Sequence, residues 1–88
     1  MKVVFLKKFS KDLDKIKKPK DRAAILEIIE LVREVQSITE VPATKKLKGY
    51  EDAFRIRSGD YRIGVFVSGD SVEFARVANR KDIYNIFP

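Results

Sequence analysis

Two copies of the tripeptide Ser-Gly-Asp, at residues 58–60 and 68–70, constrain the fold of this 88-residue chain more than any other feature. They separate three runs rich in β-branched and aromatic residues, at about residues 53–57, 61–67 and 72–78. Glycine readily adopts the left-handed backbone of a tight hairpin turn, and short polar links of this kind join antiparallel strands. The sequence therefore predicts a three-strand antiparallel meander in the second half of the chain.

The first half of the chain is predicted to be mainly helical. The apolar run at residues 2–6 indicates a short strand, and Ser10 is expected to cap an amphipathic helix that ends before Pro19. Asp21 is expected to cap a second helix that carries a broad apolar stripe and continues to about Gln36. Joined by a short link, the two helices should form an αα-hairpin.

Residues 37–52 are interpreted as an irregular connection, because Pro42 and Gly49 interrupt them. The last ten residues are predicted to form a helical turn that docks Ile83 and Phe87 on the core. The element order is then β-α-α-β-β-β with a short C-terminal helix.

Because helices and strands are segregated in this order, we expect an α+β fold in which a two-helix hairpin packs on a small antiparallel sheet. The length favours a single domain over residues 1–88. The pattern leaves open whether the N-terminal strand pairs in parallel with a later strand.

The composition limits the chemistry that this chain can perform. It contains no cysteine and no histidine, so disulfides, thiolate catalysis and the usual zinc sites are excluded, and we expect neither a metal nor a cofactor. The net charge of +6 favours a polyanionic partner. The apolar run near the N-terminus is too short for a signal peptide or a membrane span, so we expect a cytoplasmic protein without a membrane partner.

Three arginines lie around the first Ser-Gly-Asp turn. Arg55 and Arg57 alternate with apolar residues, and Arg62 alternates with the apolar set Tyr61, Ile63, Val65 and Val67. If both apolar sets face the helices, the three guanidinium groups share the opposite face of the sheet. Gly64 is then expected to leave room beside Arg62 for a ligand.

Two interpretations of this cluster stay open. Neighbouring guanidinium groups repel each other unless an anion lies among them, and they bind phosphate in a bidentate manner. Alternatively, each arginine lies on a solvated face and pairs with Asp52, Asp60 or Glu73.

Tyr84 also has two interpretations. It follows Arg80 by four residues, so a helical C-terminus would place both on one face, where the ring could stack on a nucleotide base. Alternatively, the ring simply packs on the protein and leaves its hydroxyl in water.

The segment from residue 45 to residue 88 resembles the RelE/ParE superfamily of toxins from type II toxin–antitoxin pairs. Four elements carry the resemblance: a KLKG loop, a basic R-x-R, a G-D-Y-R turn and an arginine-containing segment that ends in tyrosine. In this chain they are Lys46–Gly49, Arg55–Arg57, Gly59–Arg62 and Arg80–Tyr84.

The resemblance implies two helices on a small antiparallel sheet and a ribosome-dependent mRNA endonuclease that inhibits translation. In RelE-like members the RNA's own 2′-hydroxyl attacks the adjacent phosphate, without a metal. The implied partners are a cognate antitoxin, the ribosome and mRNA. An alternative is a ParE-like toxin that inhibits DNA gyrase without cleaving RNA, or a module that binds an antitoxin and has lost its activity.

The resemblance also assigns residues. The implied catalytic residues are Arg62, Arg80 and Tyr84, and the implied RNA or phosphate contacts are Arg55, Arg57, Lys46, Lys48 and Lys81. Arg55 and Arg57 stand where well-studied members have lysines. Because arginine is not deprotonated in proteins, these two are expected to supply electrostatics and not general-base catalysis.

Overall fold

A computed structural model describes residues 1–88. The helices are α1 (Lys7–Asp14), α2 (Pro19–Glu34) and α3 (Ile83–Ile86), with a single 3₁₀ turn at Ile38–Glu40, and the strands are β1 (Lys2–Phe5), β2 (Thr44–Lys46), β3 (Ala53–Ser58), β4 (Tyr61–Ser68) and β5 (Ser71–Asn79). No helix is both long enough and apolar enough to cross a membrane.

The five strands form one sheet in the order β1-β5-β4-β3-β2. The predicted meander is confirmed, since β3, β4 and β5 pair antiparallel, and Gly59 and Gly69 turn the chain with φ values of 58° and 61°. β1 pairs in parallel with β5, which answers the question that the sequence left open. The α+β fold is therefore confirmed, with a mixed sheet.

The sequence suggested an irregular connection over residues 37–52, but part of this segment is regular. It contains the 3₁₀ turn and the three-residue strand β2, which pairs antiparallel with β3 at the edge of the sheet. The three residues Thr-Lys-Lys are too few to show an alternating pattern. This strand is therefore defined by its pairing with β3 and could not be recognised from its own sequence.

Both predicted helix caps were wrong. α1 begins at Lys7, so Ser10 lies inside it, and α2 begins at Pro19, so Asp21 lies in its first turn. Proline suits the first helical position because its missing N–H has no partner there and its φ is already helical. Asp21 still favours this helix end, since a carboxylate interacts well with the positive end of the helix dipole.

One face of the sheet packs against the two longer helices. This helix-side core consists of Phe9, Ile16, Ile25, Ile29, Val32, Ile38, Val41, Ile56, Ile63, Val65, Val72, Phe74 and Val77. Tyr61 and Val67 pack against it, so the predicted apolar set of β4 is confirmed. The alternate residues of β3 and β4 consequently face away from the helices.

The C-terminal segment covers part of the opposite face. Ile83 and Phe87 are buried there with Leu47, Ala53 and Ala75, a group that we call the C-terminal cluster. Docking of Ile83 and Phe87 was predicted and is confirmed. This packing fixes α3 on the face of the sheet that carries the arginines.

A β-bulge in β5 creates one internal ion pair. Gly64 lies opposite Arg76 and Val65 opposite Phe74, so Ala75 is the extra residue. Arg76 donates from Nε and Nη2 to the two carboxylate oxygens of Asp12, at 2.7 and 3.0 Å, and the Val77 N–H donates to the same carboxylate at 3.1 Å. The hydrogen bond from Asp12 raises the pKa of Arg76 above its ordinary value. α1 is thereby tied to the bulge.

Candidate functional site

The exposed half of the sheet face opposite the helix-side core forms an open pocket with a volume of 490 Å³. We call it the arginine pocket. It is lined by Ala43, Thr44, Lys45, Arg55, Arg57, Arg62 and Tyr84.

Strand register brings the basic side chains of the pocket together. Arg57 lies directly opposite Arg62 in the β3–β4 pair. Lys45 lies directly opposite Arg55 in the β2–β3 pair. Residues that face each other across antiparallel strands project to the same side, about 4.5–5.5 Å apart. The predicted convergence of the three arginines is confirmed, and the structure adds a lysine to them.

Hydrogen bonds hold the guanidinium group of Arg62 at one nitrogen only. Its Nη1 donates to the carbonyl oxygens of Gly59 at 3.0 Å and Tyr61 at 2.9 Å. Nε and Nη2 donate to no protein acceptor, and this is the same edge by which Arg76 binds Asp12. The turn therefore orients Arg62 while leaving three N–H donors for an anion.

Tyr84 lies over Arg55. The guanidinium carbon of Arg55 is 4.4 Å from the centroid of the Tyr84 ring, within the range of a cation–π contact. Tyr84 is 67% exposed, although the neighbouring Ile83 is fully buried. The ring is thus held at the rim of the pocket and does not pack into the core, which leaves it accessible to a ligand.

No carboxylate neutralises the pocket. The molecule contains two side-chain ion pairs, Arg33–Glu30 and Arg76–Asp12. The pairing of the three arginines with Asp52, Asp60 or Glu73 is therefore wrong. Asp52 and Glu73 line a different pocket, away from the arginines.

Gly64 serves a different purpose from the one expected. A Cβ atom placed on it would lie 2.5 Å from ring carbons of Phe87, so the space above Gly64 is occupied by this side chain and not by a ligand. A glycine within a strand does signal a close approach, as the sequence suggested, but the group that approaches belongs to the protein. Gly64 thereby allows α3 to dock, and α3 carries Tyr84.

Two of the assigned lysines lie outside the pocket. Lys46 is opposite Phe54, whose ring packs against the helix-side core, so alternation directs Lys46 to the other side of the sheet from Lys45. Lys48 follows β2 and is exposed. Neither residue lines the arginine pocket.

Arg80 and Lys81 also lie beside the pocket and not in it. Both are exposed in the turn between β5 and α3. Because α3 begins at Ile83, Arg80 and Tyr84 do not share a helical face, contrary to the expectation. The Arg80 N–H donates to the Asp60 carbonyl at 2.8 Å, so its turn adjoins the turn that orients Arg62.

Sequence reasoning missed Lys45 as a pocket residue. The signal was its pairing with Arg55, which could be found only if β2 were recognised as a strand. Ala43, which precedes this strand, has a φ of 60° and accepts a hydrogen bond from the Arg57 N–H. A non-glycine residue in the left-handed region is uncommon, and such residues cluster at functional sites.

Comparison with known proteins agrees with the fold and identifies the family. The family model of the ParE toxin of the type II toxin–antitoxin system parDE matches residues 3–84. Toxin RelE3 of Methanocaldococcus jannaschii is 45% identical over 89 residues, an alignment that covers 100% of both chains.

Solved toxin–antitoxin complexes contain similar chains. In the RelB–RelE complex from Methanococcus jannaschii the matching chain is 42% identical, with a TM-score of 0.82 and coverage of 97% of this chain and 99% of that chain. In the RelBE2 complex from Mycobacterium tuberculosis it is 28% identical, with a TM-score of 0.68 and coverage of 90% and 96%. From these matches we conclude that the chain belongs to the RelE/ParE family of type II toxin–antitoxin toxins and is RelE-like.

Proposed function

We propose that this RelE-like chain is a ribosome-dependent endonuclease that cleaves mRNA and so inhibits translation. One observation carries the proposal: three arginines without carboxylate partners converge in an open pocket beside an exposed tyrosine ring. Water can solvate such a cluster, but the mutual repulsion of its guanidinium groups is relieved when an anion binds among them. A nucleotide fits this arrangement, because its phosphodiester can bind the arginines while its base stacks on the tyrosine ring.

The proposed reaction is attack of the RNA 2′-hydroxyl on the adjacent phosphorus. The five-coordinate transition state gathers negative charge on the non-bridging oxygens. The Nε–Nη2 edge of Arg62 is oriented by its turn and can bind these oxygens before and during the reaction. Preorganised donors of this kind supply much of the rate enhancement of an enzyme, because they need no reorganisation as charge develops.

The other pocket residues bind the substrate in this proposal. Arg55 and Arg57 contact phosphate oxygens on either side of the scissile bond. Tyr84, steadied by Arg55, stacks on the base that is presented to the pocket. Arg80 contributes a second catalytic arginine only if RNA runs across its own turn, which is hydrogen-bonded to the Asp60 carbonyl.

The remaining basic residues extend the path of the RNA. Lys48 and Lys81 are exposed near the ends of β2 and β5 and would contact phosphates outside the pocket. Lys46 faces the other side of the sheet edge and would contact only RNA that wraps around that edge.

We further propose that a cognate antitoxin silences the chain in the cytoplasm. The similar chains from Methanococcus jannaschii and Mycobacterium tuberculosis occur in antitoxin–toxin complexes. With a net charge of +6, this chain attracts an acidic partner as well as RNA.

An in vitro translation reaction with primer extension on the mRNA tests the proposed activity. Wild-type protein should produce cleavage at the codon in the ribosomal A site. Arg62→Ala should lower the cleavage rate by about 10²–10³-fold, or about 2.7–4 kcal/mol, by analogy with the loss of an oxyanion donor.

Arg33→Ala is the matched control, because it removes an equal charge from α2, away from the pocket. It should cleave at the wild-type rate. Absence of cleavage by wild-type protein, or undiminished cleavage by Arg62→Ala, would contradict the proposal.

Inhibition of DNA gyrase is the second candidate function, because the matching family model is that of ParE toxins. A supercoiling assay separates the two. Blocked supercoiling with unaffected translation would support the gyrase target. If both assays are negative while an antitoxin still binds, the chain is an inactive antitoxin-binding module.

A further inference from the structure

RNA cleavage by this route needs a proton donor for the leaving 5′-oxygen. The bond between phosphorus and this oxygen breaks as the 2′-oxygen bond forms, and the departing alkoxide is strongly basic. Arginine binds the phosphate but does not give up a proton in proteins. Arg55, Arg57 and Arg62 therefore leave the proton-transfer role unfilled.

Lys45 is the pocket residue whose position and chemistry fit that role. Lys45 lies directly opposite Arg55 in the β2–β3 pair and lines the pocket. The side chain is exposed and has no ion pair. An ammonium group is a mobile point charge with three donors and, unlike guanidinium, can release one of its protons.

The other pocket groups that carry a dissociable proton are less well placed. The Thr44 hydroxyl is buried and makes no hydrogen bond, and Thr44 lies opposite Ile56, which belongs to the helix-side core. The Tyr84 ring lies over Arg55, where stacking on a base and not proton transfer is its proposed task.

We propose that the Lys45 ammonium donates a proton to the leaving 5′-oxygen, an inference that rests on the proposed RNA cleavage. The 2′-oxygen attacks phosphorus and loses its proton to water. The bond from phosphorus to the 5′-oxygen breaks, and its electron pair takes a proton from Nζ of Lys45. The products are a 2′,3′-cyclic phosphate and a 5′-hydroxyl, and Nζ then regains a proton from solvent.

A substrate with a 5′-bridging sulfur tests this role directly. A thiolate leaves readily without a proton, so it removes the need for a general acid. Synthetic mRNAs with oxygen or sulfur at the scissile 5′ position would be bound to ribosomes and cleaved in single-turnover reactions. Lys45→Ala should cleave the oxygen substrate about 10²-fold more slowly than wild type and the sulfur substrate within a few-fold of wild type.

Three further variants separate proton donation from charge and from fold. Lys45→Arg keeps the charge but cannot release the proton, so it should be as slow as Lys45→Ala on the oxygen substrate. Lys20→Ala removes an equal charge from an exposed position in the first turn of α2, away from the arginine pocket, and should behave as wild type. Arg62→Ala should remain slow on both substrates, because phosphate stabilisation is needed for either leaving group.

Several outcomes would overturn the proposal. A Lys45→Arg rate near the wild-type rate would show a purely electrostatic role, and an equal loss for Lys45→Ala on both substrates would show a structural one. Sulfur rescue of Tyr84→Phe and not of Lys45→Ala would assign the proton to Tyr84. If the wild-type protein cleaves neither substrate, the proposed RNA cleavage itself fails, and the role of Lys45 fails with it.

Discussion

Arg76 and Arg62 lie on neighbouring strands and use the same chemical group for opposite purposes. Arg76 binds Asp12 through Nε and Nη2, with the Asp12 side chain only 10% exposed. In Arg62 that same edge has no partner, and its Nη1 alone is held, by two carbonyls of its own turn. The fold therefore supplies a carboxylate partner to Arg76, whereas the Nε–Nη2 edge of Arg62 has no protein partner and is available to a ligand.

The difference shows how to separate structural from functional charge in a basic protein. A partly buried guanidinium group must be neutralised and hydrogen-bonded, or its desolvation destabilises the fold. A guanidinium group in an open pocket stays hydrated and needs no partner until a ligand removes its water. The absence of ion pairs at Arg55, Arg57 and Arg62 therefore supports the proposal that they bind an anionic ligand.

Loss of Asp12 should have the largest effect on stability. Asp12→Ala leaves Arg76 partly buried without its partner and removes the acceptor of the Val77 N–H, so the free energy of unfolding should fall by about 3–5 kcal/mol. Urea denaturation measures this change. Asp60→Ala, at an exposed carboxylate without an ion pair, is the control and should change it by less than about 0.5 kcal/mol.

The stability from this pair should not depend on pH near neutrality. The raised pKa of Arg76 means that its contribution is fully present below the ordinary arginine pKa and is lost only as the pH rises through the raised value. The difference in unfolding free energy between wild type and Arg76→Gln should therefore be equal in mildly acidic and mildly alkaline buffers. A difference that shrinks toward mildly alkaline pH would contradict this assignment.

Loss of the Tyr84 ring should weaken binding and leave the fold intact. If the exposed Tyr84 ring stacks on a base, as proposed, Tyr84→Ala should reduce affinity for single-stranded RNA by about 1–3 kcal/mol. Fluorescence anisotropy with a labelled oligonucleotide measures this loss. Tyr50 is 48% exposed and does not line the pocket, so Tyr50→Ala is the matched control; an equal loss there would mean that the ring has no specific role.

The smallest expected effect concerns the Thr44 hydroxyl, a polar group that is buried in the protein without a hydrogen-bond partner. This hydroxyl makes no hydrogen bond, unlike the hydrated guanidinium groups of the pocket. Thr44→Val removes this cost with little change in shape, so the free energy of unfolding should rise by about 1 kcal/mol while RNA cleavage stays at the wild-type rate. A loss of stability in thermal or urea unfolding would indicate that the hydroxyl has a partner in solution.

Alternation along β3 and β4 was sufficient to predict that the three arginines share a face. The strand β2 was not predictable, because three residues carry no period, and Lys45 was missed with it. Gly64 was read correctly as a point of close approach, but only the docking of Phe87 reveals what approaches. The Asp12–Arg76 pair joins residues 64 positions apart and depends on a bulge, which no local pattern signals.

One paired measurement tests whether Arg62 binds the ligand while Arg76 stabilises the fold. Unfolding free energy and RNA cleavage rate would be determined together for Arg62→Gln and Arg76→Gln. Arg62→Gln should keep its stability within about 1 kcal/mol and lose cleavage, whereas Arg76→Gln should lose about 3 kcal/mol of stability and, while folded, cleave within a few-fold of wild type. Equal loss of stability in both variants, or cleavage that survives in Arg62→Gln, would contradict this division of roles between the two arginines.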